Sequence, residues 1–233
     1  MQFFTEYVWK KGEKASKNED SLAICQMVAG RRRCLMVLIC DGIGSLEESE
    51  KASGFVTEQM IRWFYQTGPR LLGRKRSGRS LENAVRRQLW RISGQMAEAF
   101  QDRKTGTTFS MLLLVQKRYF IWNVGDSRIY RKIAKDIRQL TEDDTRAGML
   151  TGCIGTFPFR KIHFYRGRLK RKMSFLVCSD GLYRKLAKRD LQALLAAGTA
   201  APEKIKTMLK EAADRNRLKG EKDDISGVWV KAE

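Results

Sequence analysis

Carboxylates stand at the ends of four apolar segments in this chain. Apolar runs of this length are typical of buried β-strands, and a carboxylate beside one is costly unless it is paired or bound to a metal ion. Carboxylate oxygens are the ligands that Mg²⁺ and Mn²⁺ prefer, so the pattern predicts a divalent-cation site, although a lone Asp before Gly is also common in an ordinary turn. The four segments and their acids are residues 21–28 after Glu19 and Asp20, residues 34–40 before Asp41, residues 174–179 before Asp180, and residues 225–230 after Asp223 and Asp224.

Two of these acids are expected to share one end of a sheet. Asp20 precedes its strand, Asp41 follows the next strand, and the intervening residues 31–33 suit a hairpin connection. In an antiparallel pair, the start of one strand lies beside the end of the other. We therefore expect the two carboxylates to lie together.

The remaining elements follow from the spacing of apolar side chains. Residues 47–66 and 80–100 predict two amphipathic helices, the second capped by Ser80 and separated from the first by a basic linker, 67–79. Four strand-like stretches within residues 107–140 predict an antiparallel meander, and residues 141–159 predict a loop. Further predictions are strands at residues 1–9 and 160–171, a helix that ends at Gly198, and a helix that begins at Pro202.

The order of these elements is strands, helices, strands, helices and a last strand. This order favours two antiparallel sheets packed face to face with helices outside, and 233 residues suit a single domain over residues 1–233. The five cysteines lie mostly inside apolar runs and outside any CxxC pair, which favours reduced core thiols. We find no signal-peptide pattern and no apolar run near the ~20 residues of a membrane span, so we expect a cytoplasmic protein without a membrane partner.

The chain is strongly basic, with 46 Lys and Arg against 26 Asp and Glu and a formal charge of +20. The excess is concentrated in residues 68–94 and 157–173. Such a surface attracts polyanions, acidic proteins or phosphorylated segments, and a merely solvated basic face is the plain alternative. Because no nucleic-acid recognition motif accompanies the charge, we do not expect a nucleic-acid partner.

Six short motifs occur together in the order and approximate spacing of one enzyme family. Essentially along its whole length, the chain resembles the metal-dependent serine/threonine protein phosphatases, the PPM or type 2C family, and its apolar Ile43 resembles the bacterial branch. The motifs are Asn18-Glu19-Asp20, Asp41-Gly42-Ile43-Gly44, Gly106-Thr107-Thr108, Gly125-Asp126-Ser127-Arg128, Ser179-Asp180-Gly181 and Asp223-Asp224-Ile225-Ser226.

The resemblance implies an α+β fold, an α/β/β/α four-layer sandwich with a dinuclear Mn²⁺ or Mg²⁺ centre at one end. It implies that Asp41, Asp180 and Asp223 are the catalytic carboxylates. A water or hydroxide that bridges the two metals would attack the phosphorus directly, because a two-metal site generates hydroxide near neutral pH. The implied metal ligands are Asp41 on both ions, the carbonyl of Gly42 with Glu19 and Asp20 on one, Asp180 and Asp223 on the other, and Asp126 on a possible third. The only histidine, His163, lies outside the six motifs, and we assign it no catalytic role.

Three positions depart from the family pattern. Ala15 stands where an Arg usually grips the substrate phosphate, so Lys14 and Lys17 are the candidate substrate-binding residues. Ser45 replaces a glycine, and the flap between residues 140–144 and 150–155 is short. These departures concern the substrate more than the metal ions.

The favoured interpretation is a phosphatase that acts on phosphoserine and phosphothreonine of proteins and opposes a serine/threonine kinase. Two alternatives remain open. A catalytically weak, phosphatase-like module that binds phosphoproteins would account for Ala15 and the short flap. A nucleic-acid-associated protein would account for the charge and would bind with steep salt dependence.

Overall fold

Two five-stranded antiparallel sheets form the centre of the computed structural model. The structure describes residues 2–13, 16–75, 77–101, 103–134, 136–156, 159, 161–170, 173–196 and 202–233. Among these residues the strands are β1 (Phe3–Lys10), β2 (Asp20–Ala29), β3 (Arg32–Asp41), β4 (Gly106–Thr107), β5 (Phe109–Val115), β6 (Arg118–Val124), β7 (Arg128–Ile133), β8 (Asp136–Gln139), β9 (Thr145–Arg146), β10 (Met149–Leu150), β11 (Ile154–Gly155), β12 (His163–Arg168), β13 (Met173–Cys178) and β14 (Ile225–Ala232). The helices are α1 (Ser49–Gln66), α2 (Gly68–Leu72), α3 (Gly78–Phe100), α4 (Asp180–Tyr183), α5 (Lys188–Ala196) and α6 (Pro202–Leu218).

The layers are those of the predicted α/β/β/α sandwich. The first sheet has the strand order β12-β6-β5-β3-β2, and the second has the order β1-β14-β13-β7-β8. One apolar cluster joins α1 and α3 to the first sheet, a second fills the space between the sheets, and a third joins α5 and α6 to the second sheet. The fold prediction is therefore confirmed.

Strand β3 shows why an unbroken apolar run was needed. Its side chains alternate between the two faces of the sheet, as in any strand. Met36, Leu38 and Cys40 pack against the helices, whereas Leu35, Val37 and Ile39 pack toward the second sheet. A strand covered on both faces has no polar face, which explains the sequence of residues 34–40.

The predicted meander is wrong, because β6 and β7 belong to different sheets. The chain leaves the first sheet at Gly125, whose φ of 103° lies in the region that favours glycine. A Cβ at this position would lie 2.7 Å from a side-chain carbon of Thr108. Strand spacing alone gave no sign of this crossing.

Three local predictions also need correction. The linker 67–79 contains helix α2, which has Pro69 in its first turn. Ser77 rather than Ser80 caps α3, because the Ser77 hydroxyl accepts a hydrogen bond of 3.1 Å from the Ser80 amide. The predicted loop 141–159 contains the β9–β10 hairpin and β11, which pairs with β4. The predicted helix end at Gly198 lies outside the described residues.

All five cysteines are buried free thiols, so their predicted place in the core is confirmed. Burial raises the pKa of Cys34 to about 11 and that of Cys40 to about 12, which keeps both thiols protonated near neutral pH. Among the described residues, the helices are all too short or too polar to cross a lipid bilayer.

The core contribution of β3 can be measured by truncation. Leu38 is fully buried, so Leu38→Ala removes packed methyl groups and leaves a cavity, and we expect the free energy of unfolding to fall by about 2–5 kcal/mol. The matched control is Val28→Ala on β2, where the side chain is 67% exposed and the expected change is within about 0.5 kcal/mol. Denaturant unfolding followed by tryptophan fluorescence gives both values. A loss below about 1 kcal/mol for Leu38→Ala would contradict the assignment of Leu38 to the core.

Candidate active site

The pairing of β2 with β3 brings the first two predicted acids together. Asp20 and Asp41 are direct cross-strand partners, as predicted from the hairpin. The backbone of Asp41 is fixed by the next strand of the sheet. Its amide donates to the Thr108 hydroxyl at 3.0 Å, and its carbonyl accepts from the Thr108 amide and the Thr107 hydroxyl, both at 2.8 Å. The motif Gly106-Thr107-Thr108 therefore positions the acid that follows β3.

The turn after Asp41 must approach Glu19 closely. The Gly42 amide donates to the Glu19 carbonyl at 3.1 Å. A Cβ on Gly42 would lie 2.7 Å from the carbonyl oxygens of Glu19 and Ser49, and a Cβ on Gly44 would lie 2.7 Å from Glu19 Oε2. Space therefore requires a glycine at position 42, whose neighbours are backbone atoms, whereas the neighbour of Gly44 is the movable end of the Glu19 side chain.

The second sheet supplies two more of the predicted acids. Asp180 lies two residues after the end of β13 and begins α4, and Asp223 lies shortly before β14. Because β13 and β14 are antiparallel neighbours, the end of one lies beside the start of the other. Gly181 permits this approach, since a Cβ there would overlap the carbonyl oxygen of Asp224.

Ser179 connects the two sheets at this end. Its hydroxyl donates to Asp20 Oδ2 at 2.9 Å and accepts from the Ser226 amide at 3.0 Å. Asp20 is only 1% exposed, and its second oxygen, Oδ1, has no hydrogen-bond partner within the described part of the chain. A buried carboxylate oxygen without a partner is costly unless a further ligand satisfies it.

The electrostatics of the cluster oppose ionisation. Loss of hydration is the main cause that raises the pKa of Asp20 to about 7 and of Asp180 to about 7, and neighbouring carboxylates add to both shifts. The same loss of hydration, together with the charges of Asp20 and Asp180, raises the pKa of Asp41 well above its ordinary value. The pKa values of Asp126 and Asp223 are also raised, first by loss of hydration. Nearby cations would favour the charged forms of all five.

One cation of the chain already lies within this cluster. The Arg184 guanidinium is 2.5 Å from Asp180 Oδ2, 3.7 Å from Asp223 Oδ2 and 3.9 Å from Asp126 Oδ2. Among the described residues, no three Asp, Glu, His or Cys side chains stand in an arrangement that could hold a metal ion as they are. The acids converge, but an arginine is inserted among them.

The predicted metal residues nevertheless fit hard divalent cations. The cluster offers carboxylates from both sheets, a buried oxygen of Asp20 that needs a ligand, and the close-packed backbone at Gly42. Such an oxygen-only set is the kind that binds Mg²⁺ or Mn²⁺.

The predicted substrate residues are placed differently. The Lys17 ammonium lies 2.8 Å from Glu50 Oε1 at the start of α1, so its charge is engaged there. Lys14 and Ala15 lie outside the described residues.

Several residues of the site were missed by sequence reasoning. Arg184 follows Asp180 by one helical turn, a spacing that could have identified the pair. Asp224 is a positioning residue whose carboxylate accepts from the amides of Gly12 and, at 2.6 Å, of Glu19. The sequence gives no sign of this positioning role, because Asp224 is simply the acid next to Asp223.

His163 lies outside the six motifs in sequence but is linked to one of them in space through Asp144. Its Nε2 is 2.7 Å from Asp144 Oδ1, and Asp144 Oδ2 accepts from the Gly125 amide at 3.0 Å. His163 therefore supports the turn that carries Asp126, through Asp144. Its 19-residue separation from Asp144 concealed this contact.

The sequence of this chain is similar to those of known protein phosphatases. The family model described as "Protein phosphatase 2C" matches residues 12–217. A curated relative, the serine/threonine phosphatase stp of Listeria welshimeri, is 22% identical in an alignment that covers 97% of this chain and 94% of the relative. The protein of the same name from Listeria monocytogenes is also 22% identical with the same coverage.

Solved structures give the same architecture. The serine/threonine phosphatase Stp1 from Staphylococcus aureus superposes with a TM-score of 0.83 at 22% identity, over 100% of this chain and 96% of that one. The serine/threonine phosphatase PstP/Ppp from Mycobacterium tuberculosis superposes with a TM-score of 0.75 at 22% identity, over 99% of both chains. At this identity the structural matches establish the fold.

The buried Asp20 makes stability depend on pH when divalent ions are removed. Its folded-state pKa is about 7, and an ordinary Asp has a pKa near 4. Its proton therefore favours the folded state, and this contribution decreases as pH rises from about 4 to about 7 and then levels off. Asp20→Asn removes the titration. In EDTA, we expect the free energy of unfolding of the wild type, relative to this variant, to fall over that interval.

The control is Asp136→Asn, which changes a half-exposed acid paired with Arg131 and Arg138. Its pH profile should run parallel to that of the wild type. A parallel profile for Asp20→Asn as well would contradict the raised pKa of Asp20.

Proposed function

The chain belongs to the protein phosphatase 2C family, and from this premise we propose that it hydrolyses phosphoserine and phosphothreonine esters of proteins with the help of divalent cations. The observation that carries the proposal is the convergence of Asp20, Asp41, Asp126, Asp180 and Asp223, from both sheets, at one end of the sandwich. Acids that repel one another in this way attract divalent cations, which would stabilise their charged forms beyond what Arg184 alone provides.

The substrate class follows from the relatives. Those reported above are named serine/threonine phosphatases, and this chain spans almost the whole length of each. We propose that its substrates are phosphoproteins made by a serine/threonine kinase. The free thiols suit a reducing compartment, which supports a cytoplasmic location.

The metal assignment distributes the acids between the ions. Asp41 would bind both ions of a dinuclear Mn²⁺ or Mg²⁺ centre. Two divalent cations supply an activated water near neutral pH and neutralise charge on the phosphoryl oxygens. The other ligands would be the Gly42 carbonyl with Glu19 and Asp20 on one ion, Asp180 and Asp223 on the other, and Asp126 on a possible third.

The chain itself contributes rigid positioning. The Thr107 and Thr108 contacts fix the backbone of Asp41, and the Ser179 hydroxyl fixes Asp20 from the opposite sheet. Groups held in this way lose little entropy when the reacting atoms are brought together. The positions of Asp20 and Asp41 are therefore set by the strand pairing, and a metal ion would bind between side chains that are already in place.

A phosphoprotein-binding module remains the second candidate. Ala15 provides no phosphate grip, and the Lys17 ammonium is engaged with Glu50. A module of this kind would bind metal ions and phosphoproteins but turn over slowly.

Release of phosphate from a phosphothreonine peptide tests the proposal. We expect turnover with Mn²⁺ or Mg²⁺ and none in EDTA. Asp41→Asn and Asp180→Asn each remove a ligand charge, so the rate should fall at least about 100-fold, given that even supporting residues of metal sites contribute 10–100-fold. The control Asp136→Asn should stay within about twofold because Asp136 lies outside the cluster.

Each other outcome has a distinct meaning. Undiminished turnover in EDTA, or in both cluster variants, would refute the metal mechanism. No turnover together with intact Mn²⁺ binding by calorimetry would favour the binding module.

A further inference from the structure

A basic cavity lies at the opposite end of the sandwich from the acidic cluster. Its volume is about 800 Å³, within the range of small-molecule sites. Strand β3 begins beside this cavity at Arg32 and ends in the cluster at Asp41, so its ten residues separate the two by about 30 Å. The cavity is therefore independent of the proposed catalytic centre.

Cationic side chains from four separate segments line the basic cavity. They belong to residues 31–33 of the β2–β3 turn, residues 74–75 after α2, residues 117–118 of the β5–β6 turn, and residue 168 at the end of β12. No Asp or Glu lines the basic cavity in the described part of the chain. Its deep wall is apolar, with Leu72, Leu81 and Phe120 at most 4% exposed.

Two of the segments that line the basic cavity, the β2–β3 turn and the residues after α2, are packed closely against each other. Arg32 Nη1 donates to the Arg74 carbonyl at 2.9 Å and so joins the β2–β3 turn to the end of α2. Gly30 has a φ of 61°, and a Cβ there would lie 3.3 Å from the Gly73 carbonyl oxygen. The close approach of Gly30 to Gly73 holds the β2–β3 turn next to the segment after α2, and both segments carry cationic side chains of the cavity.

A second basic cavity of about 420 Å³ continues from the first, because residues 118 and 168 line both. Arg166, Gly167, Ser77 and Gly78 complete its lining, and Gly78 is the first residue of the 23-residue helix α3. The Arg166 guanidinium packs directly over Gly78, where a Cβ would collide with it. Amide groups at a helix N-terminus add to the positive potential of the arginines.

We propose that these joined cavities bind a small anion that carries two or more phosphate groups. Guanidinium groups on separate rigid segments can contact several phosphate oxygens at once, and charge-assisted bonds of this kind are strong. Leu71, a partly buried residue of the same lining, offers apolar surface to a non-phosphate part of the ligand.

The shape argues against larger polyanions. Single-stranded nucleic acids are bound by exposed aromatic side chains on which bases stack, but the described aromatic side chain that lines the first cavity, Phe120, is 1% exposed. A concave site of this volume also encloses a small ligand better than a duplex.

Calorimetric binding of inorganic tripolyphosphate, in EDTA, tests the site. EDTA removes divalent cations, so the acidic cluster carries no bound metal ion that could bind the anion. We expect one sub-millimolar site in the wild type and at least tenfold weaker binding in the double variant Arg33→Glu/Arg168→Glu, which reverses two exposed charges on separate segments. The control is Arg189→Glu, a side chain 86% exposed on α5, with unchanged affinity.

ATP is the second probe. Equal or tighter binding of ATP, with the same loss in the double variant, supports the site, and tighter binding indicates a contact of the nucleoside with apolar lining such as Leu71. Absence of tripolyphosphate binding, or equal binding in the double variant, would overturn the proposal. Binding of a duplex DNA or a doubly phosphorylated peptide at least tenfold tighter than tripolyphosphate would also overturn it.

A second inference concerns Arg184 and deepens the proposed function. Among the described residues, Arg184 is the basic side chain that pairs with Asp126, Asp180 and Asp223. Its amide donates to the Asp180 carbonyl at 2.9 Å at the end of α4, so its Cα is fixed while its side chain is half-exposed. This guanidinium and a divalent cation would compete for the same carboxylates.

We infer that Arg184 is displaced from the acids by the metal ions and then binds the substrate phosphate. The chain has Ala15 at the usual phosphate-binding position, and a guanidinium fork contacts two phosphate oxygens where an ammonium contacts one. One side chain would thus limit metal affinity and supply the missing phosphate contact. The inference depends on the proposed function.

Two variants separate these roles. Arg184→Gln removes the competing charge, so calorimetry should show Mn²⁺ binding about tenfold tighter than in the wild type, whereas Arg184→Lys should stay near the wild type. Both variants should raise KM for a phosphothreonine peptide, and the Ki of inorganic phosphate, about tenfold. Arg189→Gln is the control for both measurements.

Unchanged Mn²⁺ affinity in Arg184→Gln, or unchanged KM and Ki in both variants, would overturn the inference. A wild type without phosphatase activity would instead refute the proposed function. The Mn²⁺ comparison needs no activity, so the two failures can be told apart.

Discussion

The register of β2 on β3 holds Asp20 directly beside Asp41, and the rest of the acidic end depends on that pairing. Two like charges at adjacent positions repel each other, so the arrangement persists because β3, which carries Asp41, is buried on both faces and fixes the register of β2 beside it. Ser179 extends the constraint across to the second sheet, where Asp180 and Asp223 flank two further strands. The site is therefore a consequence of where buried strands end.

The parts of the molecule that stabilise the fold differ from the part that is proposed to be functional. Three apolar layers between sheets and helices stabilise the fold, whereas the acidic end opposes it by packing carboxylates away from water. Such destabilised ends are common at functional sites, because ligand binding compensates for the repulsion. At the other end of the sandwich the charge is reversed, and arginines surround a cavity with an apolar wall. The two ends of the sandwich thus carry opposite charge.

Much of this arrangement could be predicted from the sequence, for identifiable reasons. The run 34–40 carried most of the prediction, because an unbroken apolar strand predicts burial on both faces and its end predicts where Asp41 lies. Pairing of Asp20 with Asp41 followed from the short hairpin. The crossing at Gly125 could not be predicted, since strands of one sheet and of two sheets have the same alternation. The contacts of Arg184 with Asp126 and of His163 with Asp144 could not be predicted either, because they join segments whose proximity depends on the tertiary fold.

The central claim is that the acidic end binds divalent cations between the two sheets. Crystals grown with Mn²⁺ and measured at the manganese absorption edge test it most directly. The account predicts at least two anomalous peaks within about 2.5 Å of carboxylate oxygens, two of them next to Asp41, and an Arg184 side chain that no longer contacts Asp180. An acidic end without an anomalous peak at millimolar Mn²⁺, with Arg184 still paired to Asp180, would contradict it.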